Sequence, residues 1–262
     1  MTDRYALSLI VPTYNERATL EPLISAVAST LAGHRIAAEV IVVDDNSPDG
    51  TGDLADRLAA RFPIEVVHRE EKLGLGSAVV AGFARARAGV LGVMDADLSH
   101  PPAALPGMLA ALLDHDADMV VGSRYIPGGG ASNWPWRRRA MSRLAGAMAR
   151  PLTPVHDPTS GFFLIRRRAF EGTPVSCASF KIGLELMVRG RIAKIVEFPF
   201  VFTDRVAGES KMSSREAFGY VRQLGKLAVL GRRERPPRAT HYRKVTAAEA
   251  LTLPGFRSSW GV

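Results

Sequence analysis

Three short apolar runs near the start of the chain end in polar clusters, and a helical pattern follows each one. Ala6 to Val11 leads into Pro12-Thr13-Tyr14-Asn15-Glu16. The β-branched run Glu39-Val40-Ile41-Val42-Val43 leads into Asp44-Asp45-Asn46-Ser47-Pro48-Asp49-Gly50. Val90 to Met94 leads into Asp95-Ala96-Asp97. Helical spacing follows over Thr19–Leu31, Gly52–Arg61 and Gly74–Arg87. Strands that alternate with helices imply a parallel sheet joined by crossover helices. Near-continuous apolar strands fit burial on both faces of that sheet. Ligands of such sheets bind beyond the carboxyl ends of the strands. The pattern therefore gathers Tyr14, Glu16, Asp45, Asp95 and Asp97 around one crevice. Asn15, Ser47 and Asp49 are read as caps of the helices that follow them.

Asp95 and Asp97 carry the sharpest chemical signal. Side chains at i and i+2 of a strand share a face, so both carboxylates reach one point at the strand end. They repel unless a cation lies between them. Mg²⁺ and Mn²⁺ take oxygen ligands and often keep a substrate diphosphate as partner. An isolated Asp-x-Asp is more commonly a solvated turn, but the other acidic strand ends favour the metal reading. Gly74-Leu75-Gly76-Ser77-Ala78-Val79 lacks the third glycine of a dinucleotide-binding turn. It is read as a helix start with close backbone packing.

Several longer runs carry a family resemblance. They are Val11 to Glu16, Val43 to Thr51 (containing Ser47-Pro48-Asp49-Gly50-Thr51), Gly74 to Gly76, and Met94 to Pro102. Val121-Gly122-Ser123-Arg124-Tyr125, Trp134 to Ser142, Asp157-Pro158-Thr159-Ser160-Gly161-Phe162, and Asp204-Arg205 to Gly208-Glu209-Ser210-Lys211 continue it. From about Ser8 to Leu230 the chain resembles family 2 glycosyltransferases, and more narrowly the dolichol- or polyprenyl-phosphate mannosyltransferases. The resemblance implies an α/β fold of the Rossmann-like GT-A type, a mostly parallel central sheet with helices on both faces. It implies inverting, metal-dependent transfer of mannose from GDP-mannose to a polyprenyl (dolichyl-type) phosphate.

It also implies roles for residues. Pro12, Tyr14, Glu16, Val43 and Asp45 match positions that line the nucleotide pocket. Asp95, Ala96, Asp97 and Arg124 match further donor-binding positions. Asp95 and Asp97 would hold Mg²⁺ or Mn²⁺. Ser99 stands where some relatives carry a metal-reaching glutamine, and serine is shorter. Arg124, Arg138 and Ser142 match positions that hold the acceptor phosphate, for which a guanidinium is well shaped. Arg205 and Lys211 match residues that close over the donor diphosphate, with Arg205 counted as catalytic beside the two aspartates. A departing nucleoside diphosphate needs its charge compensated, and a divalent ion does this as a Lewis acid. No general base stands out. His100 and His156 read as turn residues, and Asp157 as a loop-ordering residue bonded near Thr159 and Ser160. The absence is interpretable, because a phosphate acceptor is already an anion at neutral pH. The stretch from Phe180 to Gly190, with Lys181 and Glu185, is expected to form a helix near the acceptor.

Charge is uneven along the chain. Of the net +8, residues 231–262 supply seven Arg/Lys against two Glu. This basic tail is expected to be largely disordered. A second basic cluster is Arg137-Arg138-Arg139 with Arg143 and Arg150. No nucleic-acid-binding fold signature accompanies these charges, so nucleic acid is not expected as a partner. An anionic membrane surface suits them better, with solubility as the competing role of the tail.

The helical stretch 213–230, with Ser213 and Glu216 at capping-box spacing, reads either as an interfacial helix or as one packed on the core. No uninterrupted apolar run approaches the ~20 residues of a membrane span. No signal peptide is read, and the single cysteine, Cys177, fits a reducing compartment. A cytoplasmic enzyme, peripheral on the cytoplasmic face of a membrane, is expected. Its membrane contact is its own or comes through a membrane-anchoring partner subunit. Alternatives are a UDP-glucose or other hexose donor on the same fold, and a non-catalytic nucleotide-sugar binder at the membrane.

Overall fold

Burial on both faces is what the apolar strands achieve. In the computed structural model, which describes residues 4–175, 181–204, 214–233 and 241–252, they form one eight-stranded sheet. The first half runs β1 (Leu7–Thr13), α1 (Arg17–Gly33), β2 (Ala38–Asp44), α2 (Thr51–Ala59), β3 (Ile64–His68), α3 (Leu75–Arg85) and β4 (Val90–Val93). A short 3-10 turn then leads into α4 (Leu105–Asp114), β5 (Met119–Ser123), β6 (Gly130–Ala131), α5 (Trp136–Ala149), β7 (Phe163–Arg166), α6 (Arg167–Phe170) and α7 (Ile182–Arg189). β8 (Lys194–Pro199), β9 (Val201–Phe202), α8 (Ser214–Arg233), β10 (His241–Lys244) and α9 (Ala247–Thr252) follow.

Strand order is β10-β8-β5-β7-β4-β1-β2-β3, with β6 and β9 as a separate parallel pair. Every neighbouring pair in the large sheet is parallel except those of β7, which is antiparallel to β4 and β5. The order reverses at β1, with β2 and β3 on one side and β4 on the other. The expected crevice lies at this switch point. Because β7 pairs Phe163 with Val93, its leading loop arrives at the same sheet end as Asp95.

Alternation on β1 divides the core. Leu7, Leu9 and Val11 join Leu20, Leu23 and Ile24 of α1 and Met108 of α4. Ile10 joins Ile41, Val43, and Val79 and Phe83 of α3 on the other face. α3 lies so near the sheet that a Cβ on Gly82 would stand 2.6 Å from Ile10 Cγ2, whereas at Gly74, in the helix start where close packing is expected, a Cβ would meet nothing within 4 Å. A third cluster ties α5, α7 and α8 through Ala149, Leu184, Val188, Tyr220, Leu224 and Leu227.

The cap expectations divide. Asp49 accepts from Thr51 N–H (3.0 Å) and Arg17 N–H (3.2 Å), so one carboxylate serves the starts of α2 and α1. Burial opposes its ionisation, but hydrogen bonds from Thr51 and Arg17 outweigh that and hold its pKa below the ordinary value. Asn15 and Ser47 cap nothing. Asn15 is left-handed (φ 60°) and its N–H donates to Ser47 Oγ, while Ser47 Oγ donates to Asp44. They tie two strand-end loops together.

The expectation of a disordered tail is corrected for 241–252, while 234–240 and 253–262 lie outside the described residues. Residues 241–244 pair in parallel with β8, and Val245 and Ala250 are fully buried. The exposed edge of β8 supplies the hydrogen-bond partners that composition does not reveal. α7 forms within the stretch expected, Phe180 lying outside the described residues, and packs beside α8. α8 covers the helical stretch 213–230, of which Ser213 lies outside the described residues. No helix among the described residues is long and apolar enough to cross a membrane.

Candidate active site

β4 stops at Val93, so Asp95 and Asp97 lie on a turn beyond the strand rather than on its last residues. The turn stays pinned to β1 through Met94 N–H donating to Ile10 O (3.1 Å). Leu98 takes φ 61°, a backbone region that costs a branched residue energy and that marks functional loops. Ser99 N–H then donates to Asp97 Oδ1 (3.0 Å). Asp97 is buried, whereas Asp95's side chain is 34% exposed. Ser99 Oγ is buried without a hydrogen-bond partner. An orphaned hydroxyl next to an acidic turn fits a bound cation or its water. Among the described residues, no three His, Cys, Asp or Glu gather as a metal cage. Two carboxylates and a hydroxyl leave the other positions of a hard cation to phosphate and water, which is the usual arrangement for Mg²⁺.

His100 supports the acidic turn in a way its sequence context does not announce. It lies on a bend, as expected, and is buried. Its Nδ1 accepts from Asp95 N–H (3.2 Å), which places its proton on Nε2. The ring stacks on Phe162 (5.0 Å) and meets the edges of Phe200 and Phe202. Burial lowers its pKa, with Asp95 and Asp97 acting the other way. A lone histidine before two prolines offers no spacing signal, so only the fold reveals it.

The donor-side residues occupy the ends of β1 and β2. Asp45 is buried against Arg69, its Oδ1 3.0 Å from Nη1, and its Oδ2 accepts from Gly74 N–H (3.2 Å). Burial raises its pKa, partly offset by Arg69. Gly74 has φ 91° and starts α3, so only glycine fits that corner comfortably. Lys72 Nζ sits 3.7 Å above the half-exposed ring of Tyr14. Glu16 begins α1, with its carboxylate accepting from Thr19 Oγ1. Pro12 is part-buried. The side chains of Val43 and Ala96 belong to the core, so their backbones are what they can offer a ligand. Asp44, not among the expected site residues, accepts from Thr13 Oγ1, Ser47 Oγ and Ser47 N–H and orders the loop beside Asp45.

On the other side stand the arginines. Arg124 is held in a fork by Asp157, with Nε at 2.6 Å and Nη2 at 2.7 Å, and its own N–H also donates to Asp157. Burial works to lower its pKa, but Asp157 outweighs this and the net shift is upward. Asp157 therefore orders the loop, but its carboxylate takes Arg124 and the Thr159 hydroxyl rather than backbone near Thr159 and Ser160. Arg138 lies over Trp134 (4.2 Å) and pairs with Asp204 (2.7 Å). Arg138 and Ser142 share the inner side of α5, as their spacing requires. Phe202 touches His100, Arg124 and Arg138 at 5.7, 5.6 and 6.0 Å. One aromatic cluster thus separates the acidic turn from the arginine pair. Arg205 and Lys211 lie outside the described residues.

A family model, glycosyl transferase family 2, matches residues 8–173. The chain belongs to this family. The dolichol-phosphate mannosyltransferase of Pyrococcus furiosus is 41% identical over 225 residues, covering 84% of this chain and 63% of the relative. The chain thus spans less than two thirds of that relative's length. The polyprenol monophosphomannose synthase of Mycolicibacterium smegmatis is 42% identical, with 83% of this chain and 86% of that one covered. Among solved structures, a mannosyltransferase from Pyrobaculum calidifontis in complex with GDP-Man and Mn²⁺ superposes with TM-score 0.63 at 20% identity, covering 88% of this chain and 65% of that one. That likeness establishes the GT-A fold of this family 2 enzyme.

Gly161 sets the space around the acidic turn of the transferase. A Cβ there would lie 3.3 Å from both oxygens of Asp95. Gly161→Ala is expected to displace that carboxylate by a few tenths of an ångström. Mn²⁺ affinity, read by titration calorimetry with nucleoside diphosphate present, should fall about ten-fold, within the range of mutations around metal ligands. Unchanged affinity would remove Asp95 from the metal site.

Proposed function

We propose that this enzyme transfers mannose from GDP-mannose to a polyprenyl phosphate, with inversion at the anomeric carbon. The observation that carries the reading is the opposition of charge across the aromatic cluster. The Asp95–Asp97 turn suits a cation and a leaving diphosphate, and Arg138 with Ser142 suits an incoming phosphate. The names of the relatives, at 41% and 42% identity, agree with mannose as the sugar and a polyprenyl phosphate as the acceptor.

Asp95, Asp97 and Ser99 would hold Mg²⁺ or Mn²⁺, and the ion when bound would offset the charge that develops on the diphosphate. Asp45 accepts hydrogen bonds from the base or ribose. Tyr14, with Lys72 over its ring, lines the same nucleotide pocket. Arg138 exchanges Asp204 for the lipid phosphate, and Ser142 donates to it from one turn away. A phosphate oxygen then attacks the anomeric carbon while the bond from that carbon to the diphosphate oxygen breaks. No proton has to be removed from the acceptor. This agrees with the geometry, because His100 is bonded to Asp95 N–H and Asp157 is committed to Arg124.

The acceptor's chain places the enzyme at a membrane, and two helices support a peripheral, cytoplasmic-face association. α5 turns Trp136, Met141, Leu144 and Met148 to solvent, with Arg137, Arg139, Arg143 and Arg150 also exposed. α8 turns out Phe218, Val221 and Val229, and its Tyr220 Oη donates to Ala145 O of α5 (2.7 Å). Apolar side chains among cations form the surface that inserts among anionic headgroups.

Three measurements test the reading. Purified enzyme, Mn²⁺ and polyprenyl phosphate are offered labelled GDP-mannose or UDP-glucose, and lipid-extractable label is counted. Label from GDP-mannose alone is expected, and label from UDP-glucose alone would replace the donor. Arg138→Ala should raise the acceptor KM about ten- to a hundred-fold, the loss of a charged hydrogen bond, with the donor KM little changed. A shift confined to the donor KM would move Arg138 to the other half of the site. The double substitution Leu144→Glu and Met148→Glu should weaken co-sedimentation with anionic vesicles while sparing turnover of a short, soluble polyprenyl phosphate. Equal sedimentation would remove α5 from the membrane contact.

A further inference from the structure

Glu197 of β8 is wholly buried, yet among the described residues no Lys or Arg forms an ion pair with it. Its oxygens are satisfied by donors. His156 N–H donates to Oε2 and Asp157 N–H to Oε1, each at 3.0 Å. Tyr242 Oη donates to Oε2 as well. His156 Nδ1 lies 3.1 Å from that oxygen and 2.7 Å from Tyr242 Oη, and the two rings stack at 6.0 Å. A buried carboxylate is tolerable only when its hydrogen-bonding capacity is filled, so each donor is held as firmly as it holds.

Tyr242 comes from β10, far along the chain from everything else in the site. Burial and the charge of Glu197 push its phenol well above its ordinary pKa, so it stays a donor. Two successive backbone N–H groups on one carboxylate fix the peptide plane between His156 and Asp157. That plane aims the Asp157 carboxylate, which in turn grips Arg124 by two guanidinium nitrogens and the backbone N–H.

We infer that β10 is a positioning element of the active site, acting through Tyr242, Glu197 and Asp157 to set the guanidinium of Arg124. The inference rests on the transferase reading above together with the family resemblance, which counts Arg124 with Arg138 and Ser142 among the residues that hold the acceptor phosphate. It assigns part of the acceptor site to a segment that carries none of the family motifs. Tyr242 is not a catalytic residue, since it touches neither substrate nor reacting atoms.

The test uses the full chain with Tyr242→Phe, which removes one hydroxyl and keeps the ring and the strand. Hydrogen exchange should quicken for the amides of Arg124 and Asp157, while those of β1 and β8 keep their protection. The acceptor KM should rise about three- to ten-fold, the scale of one net hydrogen bond, with the donor KM within about two-fold. In an Arg124→Ala background the same change should leave the acceptor KM where Arg124→Ala alone puts it. Glu197→Gln, which keeps shape but loses one acceptor oxygen, should shift exchange and acceptor KM in the same direction. Unchanged exchange at Arg124 and Asp157 in both variants would overturn the inference, as would a Tyr242→Phe effect that persists in full without Arg124. If the unmodified enzyme failed to use polyprenyl phosphate, the functional reading would fall, and the exchange measurement would still decide whether the relay exists.

Discussion

The buried pair of Arg124 and Asp157 organises the sheet end on which the chemistry depends. Taking both charges out of water costs more than their attraction returns unless the remaining donors and acceptors are filled. The surroundings are built to fill them. Thr159 Oγ1 lies within reach of both partners, Glu197 holds the Asp157 backbone, and Trp134 and Phe202 cover the guanidinium. Such a pair contributes geometry more than stability. It fixes the loop ahead of β7, and that loop carries Gly161 to the Asp95 carboxylate.

Strain is spent on the same region. Asn15, Asn46 and Leu98 all have positive φ, and each lies just past the end of β1, β2 or β4. Asparagine tolerates this conformation and leucine does not. The acidic turn is therefore held by its surroundings, by Met94 on β1 and by His100 beneath Asp95.

Much of this was legible beforehand. The alternation of Val- and Ile-rich runs with helical spacing read directly as a doubly covered parallel sheet, because strand burial is written locally. The acidic strand ends read as a site because side-chain chemistry is also local. What escaped notice depends on partners distant in sequence. The antiparallel insertion of β7, the burial of His100 against three phenylalanines, and the meeting of Glu197 with Tyr242 have no local signature. β10 was hidden by a basic composition that resembles disorder. One signal there was readable: Thr246 and Glu249 exchange hydrogen bonds between side chain and backbone as a capping box.

β10 also changes how the molecule meets its neighbours in solution. Without it, β8 would end the sheet with a row of unpaired peptide groups beside buried valine and phenylalanine, a template for another chain to add to. With it, the outermost strand carries exposed His241, Arg243 and Lys244. Charged side chains on a short edge strand, Lys244 and the Arg243–Glu249 pair, hinder a second copy from adding to it. The segment that steadies the active site thus also blunts the sheet edge against aggregation, so losing it would reduce solubility as well as turnover.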